Sequence, residues 1–187
     1  MIEAKRLEHD WFPRPLPPNV VIGEQSWIHS AFAFLHFYST QRCGLRAGHD
    51  TGIYVETFFN LGPAGEVSIG DHCTLAGPII STNGRVAIGD YVLISREVVI
   101  ADSFAALPYG RTVDGQPAAE ITIEDDVWIG TRAVILGGAR LGTGSIIGAG
   151  AVVDFEIPAW AVVAGNPAKI VSWARPSQSD LRDEGER

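Results

Sequence analysis

A repeat of six residues governs the segment from Ile121 to Val153 and limits what the chain can fold into. Aliphatic side chains recur at every sixth position, and a mostly small residue lies two positions before each. A period of six fits neither an α-helix, with about 3.6 residues per turn, nor a strand, with a period of two. It fits a solenoid whose coils have three flat faces, each one short strand with its corner. The aliphatic positions are Ile123, Ile129, Ile135, Leu141, Ile147 and Val153, and the preceding ones are Ile121, Val127, Ala133, Ala139, Ser145 and Ala151.

This pattern predicts how the solenoid packs. Each aliphatic side chain points inward and stacks on its equivalent in the next coil, and the preceding position is small because the wall bends inward there. Glycine directly follows the aliphatic residue at Gly130, Gly142 and Gly148. We expect these glycines to form corners with backbone angles that other residues resist.

The solenoid is predicted to span residues 20–171 as a single domain, with a different segment at each end. Residues 1–19 are charged and then rich in proline, and we expect them to cap the first coil. Without a cap, the apolar axis and an unpaired strand edge would meet water. Residues 172–187 are polar and charged, so they are predicted to form a solvated tail.

Two stretches disturb the six-residue phase. Residues 36–66 are irregular and rich in aromatic side chains, which predicts either a wide coil filled by rings or a surface that contacts another subunit. Residues 101–120 are too long for a corner and are predicted to form a loop extruded from the wall. Because Phe104 and Tyr109 would be costly to leave in water, we expect this loop to pack against a neighbouring subunit.

Composition excludes several classes of protein. The chain has 187 residues and a net charge of -8, which argues against a nucleic-acid partner. Cys43 and Cys73 make no zinc-binding spacing and no disulfide framework, which fits a reducing compartment. The chain shows neither a signal peptide nor a run of eighteen apolar residues. We therefore expect a cytoplasmic protein that does not span a membrane.

Four segments carry a resemblance to a known family: IGDYVLIS, ITIEDDVWIGTRAVILGGARLG, IGAGAVV and AVVAGNPAKIV. Together they resemble the hexapeptide-repeat acyltransferases, especially the group that O-acetylates sugars. The resemblance is good over residues 67–171 and loose over 20–66. It implies an all-β, left-handed parallel β-helix that forms a homotrimer. It also implies that acyl-CoA lies in the groove between neighbouring prisms and that the acyl group passes directly to the acceptor.

The resemblance assigns residues to acetyl-CoA. By position in the motifs, Trp128, Thr131 and Ala149 match the CoA side, and Lys169 matches the basic residue that meets the nucleotide phosphate. Small residues also suit a thin pantetheine arm, because low walls let backbone groups approach it. The coil itself requires small residues, so structure alone could explain them. The predicted CoA-binding residues are Trp128, Gly130, Thr131, Ala149, Gly150 and Lys169.

The catalytic half of the site departs from the family. Acyl transfer to a hydroxyl needs a base, which in the family is a histidine in the loop that leaves the coil. That position falls at Ala105 here, or near Ser103 with a small shift of the alignment, and no histidine occurs after His72. The first candidates for a relocated base are His72 and Asp102, and the next are His36 and His49. A lone histidine such as His72 is more often a surface or hydrogen-bonded structural residue, and an exposed Asp102 would be too acidic to be a good base.

Three explanations for this departure remain open. The chain could be an enzyme with a relocated base, supplied in a trimer by a neighbouring subunit. Its acceptor could be an amine, which needs less help from a base than an alcohol does. Alternatively, it could be a catalytically degenerate CoA-binding or assembly subunit. The first two make it an acetyl-CoA-dependent transferase acting on the hydroxyl or amine of a sugar-like acceptor, which is the function we expect.

A zinc enzyme on the same fold is the remaining alternative. The γ-class carbonic anhydrases bind zinc through three histidines at subunit interfaces. All five histidines of this chain precede the regular coils, and none has a spacing that predicts a second histidine in an adjacent coil. No metal site is therefore expected. The five are His9, His29, His36, His49 and His72.

Overall fold

The computed structural model describes residues 6–102 and 119–174. Over these residues the chain winds as a left-handed parallel β-helix. The six-residue repeat predicted the three-faced solenoid, and the resemblance implied its left hand. The short strands lie in three sheets, which form the three faces of a prism. One 3₁₀ helix, Ala31–Phe34, takes the place of a strand in the first coil.

The three sheets are named face A, face B and face C in the order in which the chain first reaches them. Face A contains β1 (Val20–Ile22), β3 (Leu45–Ala47), β6 (Glu66–Ile69), β9 (Arg85–Ile88), β12 (Ile121–Ile123), β15 (Arg140–Leu141) and β18 (Glu156–Ile157). Face B contains β2 (Trp27–Ile28), β4 (Gly52–Ile53), β7 (Thr74–Leu75), β10 (Leu93–Ile94), β13 (Trp128–Ile129), β16 (Ile146–Ile147), β19 (Ala161–Ala164) and β20 (Lys169–Trp173). Face C contains β5 (Phe58–Leu61), β8 (Ile79–Thr82), β11 (Val99–Ala101), β14 (Val134–Leu136) and β17 (Val152–Val153).

The predicted aliphatic positions form the core. On face C, Ile135 pairs in register with Ile100 on one side and Val153 on the other, and all three are fully buried. The six aliphatic positions from Ile123 to Val153 are each at most 1% exposed. Stacking identical positions in this way removes apolar surface from water coil after coil, at roughly 25 cal/mol per Å². The prediction of the inward residues is confirmed.

The corners differ from the prediction. Gly130, Gly142 and Gly148 do not adopt a positive φ. Their role is close approach, because a Cβ added at Gly130 would lie 2.7 Å from the backbone nitrogen of Ala149. The left-handed position falls three residues before the inward aliphatic side chain at five of the six positions, from Ile129 to Val153. In the regular run it is occupied by Asp126, Arg132, Gly138, Gly144 and Gly150.

The first coil is covered by residues 6–19. Leu16 is buried in the core there, and the carboxylate of Asp10 accepts hydrogen bonds from Ser30 Oγ at 2.7 Å and from the Ala31 nitrogen at 2.6 Å. These bonds hold the segment against the start of the 3₁₀ helix, whose first N–H groups have no partner within the helix.

The last coil ends in a strand that the repeat did not predict. β20 turns back and pairs antiparallel with β19 at the edge of face B, with Lys169 opposite Ala164. Every residue of β20 is exposed, including Trp173. The strand therefore occupies the edge of the sheet without adding to the core.

Two predictions concern parts of the chain outside the described residues. Most of the loop expected at 101–120, with its contact to a neighbouring subunit, falls on residues 103–118. Most of the polar tail falls beyond Ala174. Both therefore stay predictions. Within the described ranges, no helix is long and apolar enough to cross a membrane.

Candidate functional site

The corners that join face B to face C stack into one continuous edge, called here the BC edge. Gly130 and Thr131 form it after β13, and Gly148–Gly150 form it one coil later, after β16. The Gly130 nitrogen donates to the Ile147 oxygen at 2.8 Å, and the Gly150 nitrogen donates to the Thr131 oxygen at 2.9 Å. Four of the six residues predicted to bind CoA therefore lie on adjacent coils of the same edge: Gly130, Thr131, Ala149 and Gly150.

This part of the BC edge is low and open to solvent. Thr131, Ala149 and Gly150 are exposed. A Cβ added at Gly150 would find no atom within 4 Å, so the backbone of this corner faces open space. Gly150 also has a φ of +69°, which L side chains rarely adopt. The edge is thus shaped so that a thin ligand can reach the backbone.

Trp128 and Lys169 flank the low stretch. Trp128 points outward from β13, is 50% exposed, and lies in register between Leu93 and Ile146. Lys169 begins β20 opposite Ala164, where the BC edge reaches the last coil. Its side chain is exposed. An apolar ring and a cation therefore lie at the two margins of the low stretch, and Lys169 is nearer the end of the solenoid.

Towards the first coils the same edge carries ion pairs that the sequence did not reveal. Arg132 Nε lies 2.7 Å from Glu97 Oε2, and Arg96 Nη1 lies 3.2 Å from Glu56 Oε2. The hydrogen bond from Arg132 lowers the pKa of Glu97. Each pair joins two coils that are distant in sequence, so only the folded chain shows it. These charged groups mark where the low stretch ends.

His72 lies on a different corner, the one that joins face A to face B. It has a φ of +55° and is exposed. Its ring stacks on Tyr91 with centroids 4.7 Å apart, and it meets the ring of His49 edge-on at 4.7 Å. The expectation that no second histidine lies in an adjacent coil was therefore wrong. Because the early coils are irregular in length, the sequence spacing did not predict that His49 and His72 lie in adjacent coils.

Asp102 lies on the third corner, between face C and face A. Its Oδ2 accepts hydrogen bonds from Thr82 Oγ1 at 2.8 Å, from the Asn83 nitrogen at 2.6 Å and from the Gly84 nitrogen at 3.0 Å. These bonds organise the turn between β8 and β9. The carboxylate of Asp102 thus has a structural role. Its Oδ2 could accept a proton from a substrate only if these hydrogen bonds were broken.

The three groups of predicted residues lie on three different corners of the prism. A single chain therefore brings neither His72 nor Asp102 to the low stretch of the BC edge. A second chain could do so by placing another corner against it. Cys73 is not an alternative nucleophile, because burial raises the pKa of its thiol to about 11.

Comparison with known proteins agrees with this architecture. Residues 120–154 match the family model described as bacterial transferase hexapeptide (six repeats). The chain thus carries the hexapeptide repeat of bacterial transferases, as its sequence predicted. A curated relative, 2,3,4,5-tetrahydropyridine-2,6-dicarboxylate N-acetyltransferase of Staphylococcus aureus, is 46% identical over 71 residues. That match covers 38% of this chain, and the chain spans only 30% of the relative's length.

Solved structures share the fold at low sequence identity. A mutant of AntD, an N-acyltransferase from Bacillus cereus solved with dTDP and coenzyme A, has a TM-score of 0.64 and 19% identity, covering 90% of this chain and 88% of that one. The polySia-specific acetyltransferase NeuO has a TM-score of 0.54 and 22% identity, covering 88% and 82%. A hexapeptide-repeat acetyltransferase from Vibrio cholerae, solved with acetyl coenzyme A, has a TM-score of 0.53 and 24% identity, covering 84% and 72%.

Proposed function

We propose that the protein is an acyl-CoA-dependent acyltransferase that moves an acetyl group from acetyl-CoA to the hydroxyl or amine of a sugar-like acceptor. The observation that carries this proposal is the low stretch of the BC edge. There the fold aligns Gly130, Thr131, Ala149 and Gly150 on adjacent coils, with the last three exposed and open space beside Gly150. The bacterial transferase repeat and the N-acetyltransferase relative support the same class of activity.

Acetyl-CoA fits this edge by shape and by charge. The pantetheine arm is long and thin, and it would lie along the low stretch with its amides facing the exposed backbone. The nucleotide phosphate would meet Lys169, since an ammonium group binds phosphate as a point charge without strict geometry. Trp128 would cover one side of the arm. With the nucleotide at Lys169, near the last coil, the acyl group at the other end of CoA would point towards the first coils.

The reaction requires that the acceptor attacks the thioester carbon while its proton is removed and CoA leaves as a thiol. His72 of a neighbouring chain is the better of the two proposed bases, because Asp102 is engaged in its turn. An amine acceptor would need less help from a base than an alcohol. The curated relative is itself an N-acetyltransferase, which supports an amine.

A homotrimer would bring these corners together. The outward positions next to the BC edge are apolar on both sides, with Leu93 and Trp128 on face B and Ile79 on face C all partly exposed. The outward row of face A is more polar and includes Arg46 and Arg140. Apolar rows beside an open edge favour burial against another copy. We place such a trimer in the cytoplasm.

The alternative is a CoA-binding or assembly subunit without turnover. It is favoured by one observation: in the described part of a single chain no histidine lies beside the low stretch, and the carboxylate at its end, Glu97, is paired with Arg132. Calorimetric titration with acetyl-CoA, followed by a thiol-release assay against sugars and amino sugars, separates the two. Binding with acceptor-dependent thiol release supports the enzyme, and binding without release across the panel supports the alternative. If acetyl-CoA does not bind, both are wrong.

The placement of CoA is tested by Lys169→Ala. One charge-assisted hydrogen bond contributes about 1.5–3 kcal/mol, so the variant should bind acetyl-CoA at least about tenfold more weakly. Lys169→Arg keeps the charge and should retain most of the affinity. Arg46→Ala removes an exposed cation from face A and serves as the matched control. Unchanged affinity in Lys169→Ala would show that the nucleotide end lies elsewhere.

A further inference from the structure

Two histidines meet on the corner between face A and face B. The His72 nitrogen donates to the His49 oxygen at 3.0 Å, so the backbone ladder holds the two residues in adjacent coils. Adjacent parallel strands lie about 4.8 Å apart, which matches the 4.7 Å between the two ring centroids. The two rings are therefore separated by the distance between adjacent coils.

A carboxylate completes a compact set of ligand atoms. One side-chain ligand atom each from His49, Asp50 and His72 lies within 4.8 Å of the others. All three residues are exposed, so an ion could reach them from solvent. In a tetrahedral zinc site, with ligands at about 2.0–2.1 Å, neighbouring ligand atoms are roughly 3.3 Å apart. Because the three atoms lie within 4.8 Å of one another, shortening their separations by at most about 1.5 Å would bring them to that spacing.

We propose that His49, Asp50 and His72 bind a divalent transition metal ion of the Zn²⁺ type, with water in the remaining position. Imidazole and carboxylate are ligands that Zn²⁺ accepts, and three protein ligands with an open fourth position form a common arrangement. No metal was predicted from the sequence, because no histidine spacing indicates a second histidine in an adjacent coil; the structure brings the rings of His49 and His72 together. The ligand set lies in one chain and does not rest on the proposed transferase activity. While an ion is bound, His72 is a ligand and cannot also act as the base, so the two roles of His72 are alternatives.

The surroundings of the three side chains hold them in place. Tyr91 stacks on His72 at an interplanar angle of 20°, which limits rotation of the ring. His49 Nδ1 lies 2.7 Å from Asp50 Oδ2, and His49 Nε2 lies 2.9 Å from Asp71 Oδ2. A metal ion that inserts between Nδ1 and Asp50 leaves the contact between Nε2 and Asp71 intact. A carboxylate behind a metal-bound histidine orients the ring and strengthens the ligand.

Asp71 is itself held by the backbone. Its Oδ1 accepts a hydrogen bond from the His49 nitrogen at 2.8 Å, and Gly48 leaves the space that this carboxylate occupies. The second carboxylate therefore cannot swing away when an ion binds. This arrangement distinguishes the corner from an ordinary cluster of exposed acidic groups.

Calorimetry with ZnCl₂ on the full chain, free of any histidine tag, tests the proposal. One Zn²⁺ should bind per chain in the wild type. His49→Ala and His72→Ala should each weaken binding by at least about tenfold, and Asp71→Asn should weaken it by about tenfold through its effect on the His49 ring. Circular dichroism of each variant establishes that the fold is retained.

His36→Ala is the matched control, since His36 is also exposed but lies outside the corner. It should bind Zn²⁺ like the wild type. The proposal is overturned if the wild type binds no Zn²⁺, or if both His49→Ala and His72→Ala bind it as tightly as the wild type. Acetyl-CoA binding is measured on the same samples. Loss of Zn²⁺ binding with intact CoA binding separates this proposal from the proposed function.

Discussion

Replacement of Gly89 by alanine should destabilise the solenoid through a specific side chain. At this corner the Asp90 nitrogen donates to Asp125 Oδ1 at 2.8 Å, in the next coil. A Cβ at Gly89 would overlap that oxygen and would also lie 2.9 Å from the nitrogen of Asp125. The same arrangement recurs at Gly48 with Asp71 and at Gly70 with Asp90. Glycine thus admits a carboxylate that ties one coil to the next.

The expected cost has two parts. Overpacking against a well-packed wall typically costs about 1–3 kcal/mol. Displacement of the Asp125 carboxylate also weakens its charge-assisted hydrogen bond from the Asp90 nitrogen. Such a bond contributes about 1.5–3 kcal/mol, and we expect the lower end of this range because Asp90 is partly exposed. We expect Gly89→Ala to lower the free energy of unfolding by about 3 kcal/mol. Urea denaturation at a fixed protein concentration measures it.

A double-mutant cycle separates these parts. Asp125→Ala removes the carboxylate and should cost about 1–2 kcal/mol through its hydrogen bond. In that background Gly89→Ala should cost about 1 kcal/mol less than in the wild type, because the main obstacle to the new Cβ is gone. Equal costs in both backgrounds would refute the reasoning, since the carboxylate would then not be what the glycine accommodates.

Two further predictions follow from the core and from the histidine corner. Ile135→Ala, at a fully buried position between Ile100 and Val153, should lower the free energy of unfolding by about 2–5 kcal/mol, whereas Val134→Ala on the outward side should cost less. Urea denaturation of both variants checks this, and equal losses would contradict the assigned register. His49 should titrate above 6.5 by NMR, because its hydrogen bond to Asp50 raises the pKa, and Asp50→Asn should lower it. The stabilisation of the fold by the His49–Asp50 pair should be present below pH 6.5 and lost as the pH rises through the folded-state pKa of His49. If Asp50→Asn leaves the pKa of His49 unchanged, the contact between the two side chains is contradicted.

The regular coils could be predicted almost entirely because their spacing is strict. With an inward residue at every sixth position, the burial of Ile129 and the stacking of Ile135 follow from the repeat alone. The corner glycines were misjudged for a physical reason. Gly130 looks like a residue with unusual backbone angles, but it is small because the next coil passes close to it. A sequence does not distinguish these two uses of glycine.

The candidate site could be predicted only in part. The spacing of Gly130 and Ala149 follows the repeat, so their proximity on the BC edge could be predicted from the sequence. His49 and His72 lie where the coils are irregular, and no period relates them. Their contact depends on how many residues each early coil uses. The pairing of Arg132 with Glu97 depends on the length of the insertion between β11 and β12.

The sequence by itself determined the solenoid, its inward residues and its class of repeat, since a local period dictates which side chain faces the axis. Only the tertiary structure decided which residues share a corner. His72 and Asp102 were candidates for one site, yet they lie on different corners from the low edge and from each other. The physical reason is that two residues meet at a corner only when the coil between them has the right number of residues, and in the irregular coils that number is not given by the repeat.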